Sequence, residues 1–119
     1  MTFDEKLLAS GNAANGAKLI SSGTCIACHA ITGVPSMVGV MGPNLTHVGS
    51  RTTIAAGLYP NDAKHLAYWI KNARMMKAGV IMPTLGLNQY DPILKRAMTT
   101  GGLTDAQIAD IVAYLQALK

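Results

Sequence analysis

The sequence predicts an all-α domain of four to five helices joined by unusually long irregular loops. Three observations carry this. Apolar residues recur at helical spacing in several segments, most of them preceded by a side chain that can cap a helix. No two alternating runs read as paired strands. From Gly23 to Tyr59 the chain is rich in Gly, Pro, Thr, Ser and Asn without any period, and a loop of that length is uncommon in a compact domain unless it wraps something.

Taken in order, Thr2 caps a short first turn over residues 2–9, with Glu5 completing a capping box. A second helix runs from about Asn12 to Ser22, with Ala13, Ala17 and Ile20 along one side. Gly16 inside it costs about 1 kcal/mol of helix propensity relative to Ala. Such a glycine is kept where another backbone comes close. After Pro60, Asn61-Asp62 starts a helix through about Arg74 that faces Leu66, Trp69, Ile70 and Ala73 inward. Met75 to Tyr90 is again irregular. Asp91-Pro92 then supplies a cap and a first-turn proline for a helix over Ile93–Thr100, which Gly101-Gly102 ends. The last helix opens with a Thr104/Gln107 capping box and carries the stripe Ile108, Ile111, Val112, Leu115 and Leu118.

A chain of 119 residues holds one core, so residues 1–119 are read as one domain, and a monomer is expected. Half the residues are hydrophobic and 13% are charged, which excludes a disordered chain. One Phe, one Trp and four Tyr are a thin aromatic supply. Either small aliphatic side chains fill the core or something from outside does. No apolar run is long enough for a membrane span, and Met1–Lys6 lacks the apolar stretch of a signal peptide. The net charge is +4, and residues 51–96 hold seven basic side chains against Asp62 and Asp91. Such a basic middle either steers toward an anionic partner or is an ordinary solvated face. Nucleic acid is not that partner, because the cations are scattered with almost no aromatic residues between them.

The chemistry lies in Thr24-Cys25-Ile26-Ala27-Cys28-His29. These are the only two cysteines, so there is no disulfide framework. Zinc would need two further ligands, and His47 and His65 lack the close pairing of zinc sites. A thiol–disulfide pair belongs beside a βαβ pattern that this chain does not show. Cys-x-x-Cys-His is instead the attachment sequence for c-type haem. Cys25 and Cys28 would form thioethers to one haem c, and His29 would reach the iron. A large flat apolar cofactor also answers the shortage of aromatic residues. The apo chain is therefore expected to fold poorly.

For a sixth ligand the choices are seven methionines, His47 and His65. Methionines mostly fill gaps in cores. Met1, Met37 and Met41 have no special context, Met75 and Met76 end a helix, and Met98 falls inside one. Met82 precedes Pro83 and is held extended, which suits a side chain projecting from a loop. A thioether ligand favours ferrous iron and raises the potential.

Together these segments resemble a class I monohaem cytochrome c, and more narrowly the cytochrome c domain of caa-type haem–copper oxidase subunit II and its free relatives. The resemblance is carried by Gly16–Ile20, the haem motif, Gly42-Pro43-Asn44-Leu45-Thr46-His47-Val48-Gly49-Ser50-Arg51, Leu66–Ile70, Met82-Pro83 and Ile111–Leu115. It implies the cytochrome c fold around one covalently bound haem, with His29 as the proximal and Met82 as the distal metal ligand. It implies that the Pro43 carbonyl accepts from the far N–H of His29. Arg51 and Trp69 would hydrogen-bond the haem propionates, with Tyr59 a weaker candidate for the same role. Gly16 would let the first long helix cross the last near Tyr114. His47 lies in the stretch passing the proximal side and ranks below Met82; His65 is a solvent-facing helix residue. Two segments depart from the family pattern: an N-terminal extension over 1–11 and a helical insertion over 87–102.

The function implied is one-electron transfer in a respiratory chain, to or from a membrane complex such as a haem–copper oxidase or a quinol-oxidising complex. No catalytic acid, base or nucleophile is called for, and no enzyme is expected. Lys71, Arg74, Lys77, Lys95 and Arg96 flank Met82 in sequence and would form a basic docking rim, with transfer slowing as salt rises. The alternative within this class is a cytochrome domain excised from an oxidase subunit II. A five-coordinate peroxidase or gas sensor is disfavoured by the Met-Pro loop. By family inference, haem attachment places the protein in the periplasm or on the outer face of the bacterial cytoplasmic membrane.

Overall fold

In the computed structural model, which describes residues 1–119, the two ends of the chain are packed together. Helix α1 (Ala13–Ser22) crosses α3 (Asp105–Gln116), and α2 (Ala63–Met76) packs on α3 from another side. Each helix starts where a capping side chain stands. Asn12 accepts from the Asn15 amide, Asp62 from the His65 amide, and Thr104 and Gln107 close a full capping box. The Asp110 carboxylate then joins the ends, accepting from the Asn12 amide and the Asn15 side chain, each at 2.7 Å.

Gly16 sits where α1 meets α3. A Cβ there would lie 2.0 Å from the Asp110 carbonyl oxygen. The crossing is thus at Asp110–Ile111, about one turn before the expected Tyr114. The core around it is aliphatic: Ile20, Leu66, Ile70, Ile108, Ile111, Val112 and Leu115 are buried, and Phe3 is the one buried aromatic ring. No helix is long and apolar enough to cross a membrane.

The N-terminal turn is a 3-10 helix over Glu5–Ser10, and Asp4 caps it in place of Thr2. The Thr2 carbonyl instead accepts from the Lys71 ammonium group. Lys71 is buried and also pairs with Asp105 at 2.8 Å, whose second oxygen accepts from the Asp4 amide at 3.0 Å. The extension is thereby stapled to α2 and α3.

Two antiparallel strand pairs correct the purely helical expectation. Strand β1 (Thr53–Ile54) pairs with β2 (Tyr59–Pro60), and β3 (Gln89–Asp91) pairs with β4 (Arg96–Met98). The second pair replaces the helix expected over Ile93–Thr100. Its start signal is real: the Asp91 carboxylate accepts from the Ile93 and Leu94 amides, and the Lys95 amide closes one turn onto the Asp91 carbonyl. Lys95 then adopts a φ of 55°, which no helix continues through, and the chain returns as β4. A single capped turn carries the same local signal as the first turn of a helix.

Helix α2 runs two residues past the expected end and is interrupted at Asn72, with φ −158° and ψ 76°. The buried Asn72 side chain accepts from Thr84 Oγ1 and donates to the Tyr90 carbonyl, and the freed Lys71 carbonyl accepts from the Gly86 amide. The interruption thus gives the loop after Met82 a place to attach.

Candidate functional site

The loops that carry no helix surround one large cavity of about 880 Å³, within the range of about 300–1,000 Å³ usual for cofactor sites. Its walls are mostly apolar, with Ile54, Leu66, Ile70 and Leu115 contributed by the core. Cys25, Cys28, His29, Pro43, Arg51, Trp69 and Met82 all line it. Residues separated by more than fifty positions in sequence are therefore brought to one space.

The cysteines reach it from a 3-10 turn over Thr24–Ala27, in which the Cys28 and His29 amides both donate to the Cys25 carbonyl. This tight turn delivers both sulfurs and the adjacent imidazole into the cavity. Burial pushes the Cys25 thiol above its ordinary value, and the neighbouring Cys28 adds to that.

His29 is held in a defined orientation. Its Nδ1 lies 2.7 Å from the Pro43 carbonyl, which can only accept, so Nδ1 carries the proton and Nε2 keeps its lone pair. Gly42 makes this approach possible, because a Cβ there would stand 2.6 Å from His29 Cε1. The Gly42 amide donates to the Cys28 carbonyl at 2.7 Å and closes the turn against the ring. An imidazole with a free Nε2, two thiols at attachment spacing and an apolar cavity fit a c-type haem.

Arg51 donates from Nη2 to the Asn44 carbonyl at 2.6 Å and remains exposed at the rim. Trp69 is half-buried in the wall. Tyr59 does not line the cavity; its hydroxyl donates to the Met76 carbonyl. His47 bonds the Lys119 carbonyl through Nδ1, and His65 pairs with Asp62 and stacks on Tyr59. Neither histidine lines the cavity. Among the methionines, Met82 and Met41 line it, and Met37 is a core residue. Met41 immediately precedes Gly42 and so belongs to the His29 side.

The basic rim expected from the sequence is largely dismantled. Lys71 is buried at the N-terminal strap, and Lys77 donates to the Ala55 carbonyl at 3.1 Å. Arg74 turns inward, donating to the Ile81 and Met82 carbonyls at 2.9 and 3.1 Å and to Asp91 at 2.9 Å. Only Lys95 and Arg96 stay exposed, both on the β3–β4 hairpin. Apolar side chains stand at the cavity mouth beside Arg51: Met41 and Ile81 are each more than three-quarters exposed.

Asp91 gives the site a pH dependence. Burial favours its neutral form, but the Leu94 and Ile93 amides and then the Arg74 guanidinium outweigh this and hold the carboxyl below its ordinary value of 3.8. Asp62 is held down likewise, chiefly by the His65 amide that it caps. A depressed carboxyl stabilises the fold above the unfolded-state pKa and loses that contribution as pH falls through the folded one. Stability in urea should therefore fall steeply below about pH 4. Asp91→Asn should be less stable at neutral pH and show a shallower acid slope.

The comparisons with known proteins follow the same outline. The family model for cytochrome c matches residues 13–119. Cytochrome c oxidase subunit 2 of Alkalihalophilus pseudofirmus is 28% identical over 104 residues, covering 87% of this chain and 25% of that protein. The subunit 2 of Bacillus sp. strain PS3 is 31% identical over 98 residues, covering 81% of this chain and 23% of its own length. The chain thus spans about a quarter of the curated relatives it matches. The crystal structure of SoxXA from P. pantotrophus superposes with a TM-score of 0.65 at 27% identity, covering 92% of this chain and 82% of that one. With the family model spanning α1 through α3 and every wall of the cavity, this chain belongs to the cytochrome c family and has the cytochrome c fold.

Proposed function

We propose that this protein is a one-electron carrier with a single haem c, attached through Cys25 and Cys28 and ligated by His29 and Met82. The observation that carries this reading is the convergence of both cysteines, the Pro43-oriented His29 and Met82 on one apolar cavity. Bound haem supplies a ferric/ferrous couple there. The chain's own residues do the rest. His29 donates through Nε2, and the Pro43 hydrogen bond raises its basicity. Met82 stabilises the reduced state through its thioether. Arg51 at the rim and Trp69 in the wall offer N–H groups to propionates. The apolar walls exclude water and limit reorganisation, and no bond in a substrate is made or broken.

The partner is a membrane redox complex, and the similarity to two oxidase subunits 2 favours a haem–copper oxidase. That similarity also supports a second reading, in which the sequence is the cytochrome domain of such a subunit. Both readings place the protein in the periplasm or on the outer face of the cytoplasmic membrane. With Lys71 and Arg74 turned inward, docking rests mainly on the apolar mouth, with Arg51 at the rim and Lys95 and Arg96 on the hairpin adding a salt-dependent component.

The test is an optical spectrum of the purified holoprotein. The ferric form should be low-spin and show the weak far-red sulfur-to-iron band. Met82→Ala should abolish that band completely and open the iron to carbon monoxide when reduced. A wild-type ferric spectrum without the band, or a variant that keeps it, would remove methionine ligation from the proposal.

A further inference from the structure

We infer that Arg74 and Asp91 are positioning residues for Met82, and that the β3–β4 hairpin is the buttress through which they act. The inference rests on the reading of Met82 as the distal ligand. Arg74 projects from the last turn of α2 and spends its guanidinium on three partners. Nε donates to the Met82 carbonyl at 3.1 Å, Nη2 to the Ile81 carbonyl at 2.9 Å, and Nη1 to Asp91 Oδ2 at 2.9 Å. Its side chain is 14% exposed and that of Asp91 1%. The other Asp91 oxygen accepts from the Ile93 and Leu94 amides at 2.8 and 3.0 Å, so the carboxylate is fixed by the hairpin turn.

A second link runs beside the first. Asn72, where α2 is interrupted, joins Thr84 Oγ1 at 3.1 Å to the Tyr90 carbonyl at 2.8 Å. The backbone around Met82 is thus tied on one side by Arg74 and on the other by Asn72, and both ties end on the same hairpin. Pro83 fixes the next φ, so holding the Met82 carbonyl also fixes where its side chain leaves the loop. A planar fork is needed to reach two carbonyls and a carboxylate at once, which a lysine ammonium cannot reproduce. Removing one member leaves the other charge buried and unpaired.

A ligand that competes with Met82 binds only the fraction of molecules in which the methionine is detached, so its apparent affinity measures the hold on the loop. The experiment is an imidazole titration of the ferric holoprotein, followed at the far-red band. Arg74→Lys and Asp91→Asn should each bind imidazole about tenfold more tightly than wild type. Asp105→Asn breaks the other buried ion pair, at the N-terminal strap, and should shift the affinity by less than about twofold while still lowering stability. If the two brace variants move no more than Asp105→Asn while Met82→Ala abolishes the band, the buttress is overturned and the methionine ligand stands. If Met82→Ala keeps the band, both fall.

The unmodified protein supplies a second test that needs no variant to fold. Coupling between two sites is reciprocal. Displacing Met82 with imidazole should therefore speed hydrogen exchange at the Ile93 and Leu94 amides relative to the Ile108 amide in α3. Equal changes at all three would overturn the proposal.

Discussion

A chain with both Cys25 and Cys28 replaced by serine should lose cooperative unfolding altogether. The cavity that the cysteines serve measures about 880 Å³ in a domain of 119 residues. The cavity opens to solvent, so without the cofactor water would enter it and its apolar walls would stay hydrated, a loss of burial that a domain stable by only about 5–15 kcal/mol can ill sustain. The protein has nothing to fill the space with. Its only buried aromatic ring is Phe3, at the strap, and of the aromatic rings only Trp69 and the His29 imidazole reach the cavity wall. Helical signal in the far ultraviolet should drop sharply, near-ultraviolet ellipticity should vanish, and thermal melting should be broad. A sharp transition near that of the holoprotein would show that the fold is complete without its cofactor.

Gly16→Ala is the second substitution with a large expected effect, and its sign is opposite to the usual one. In an exposed helix interior the change would gain about 1 kcal/mol. Here the new Cβ would stand 2.0 Å from the Asp110 carbonyl oxygen and 2.5 Å from its carbon. Both are backbone atoms in the middle of α3, so no rotamer change relieves the clash and the helices must separate. That separation also stretches the Asp110 hydrogen bonds to Asn12 and Asn15. A loss of about 3 kcal/mol or more is expected. For a domain of this size that is a fall in melting temperature of about 10–20 °C, readable by calorimetry of the holoprotein. A variant melting within a degree or two of wild type would mean that the crossing is looser than described.

Sequence patterns that depend on neighbours along the chain were the legible ones. The caps at Asn12, Asp62 and Thr104 and the stripe through α3 all rest on interactions within a few residues. The attachment motif is local too, and the cavity assembles around it. The β3–β4 hairpin escaped because Asp91-Pro92 writes the same opening turn for a helix and for a four-residue hairpin loop. What separates them is the Asn72–Tyr90 hydrogen bond and the Arg74–Asp91 pair, neither of which has a sequence period. Charge was misread for a related reason. Lys71 and Arg74 count as surface cations in composition, but each is buried against a carboxylate from a distant segment. The one advance signal was the short supply of acids, since Asp91 and Asp105 both stand just before or within apolar stretches where a free carboxylate is costly.

The pairing of α1 with α3 also imposes an order of events during synthesis. Cys25, Cys28 and His29 follow α1 directly, whereas its partner helix lies about ninety residues further along the chain. Until Asp105–Gln116 have left the ribosome, Ile20 and the bare backbone at Gly16 have nothing to pack against. The intervening loops are equally unsupported, because Leu115 forms part of the cavity wall. The turn over Thr24–Ala27 therefore lacks its packing partners until the last helix has been made, and the fold closes only when the two ends of the chain meet.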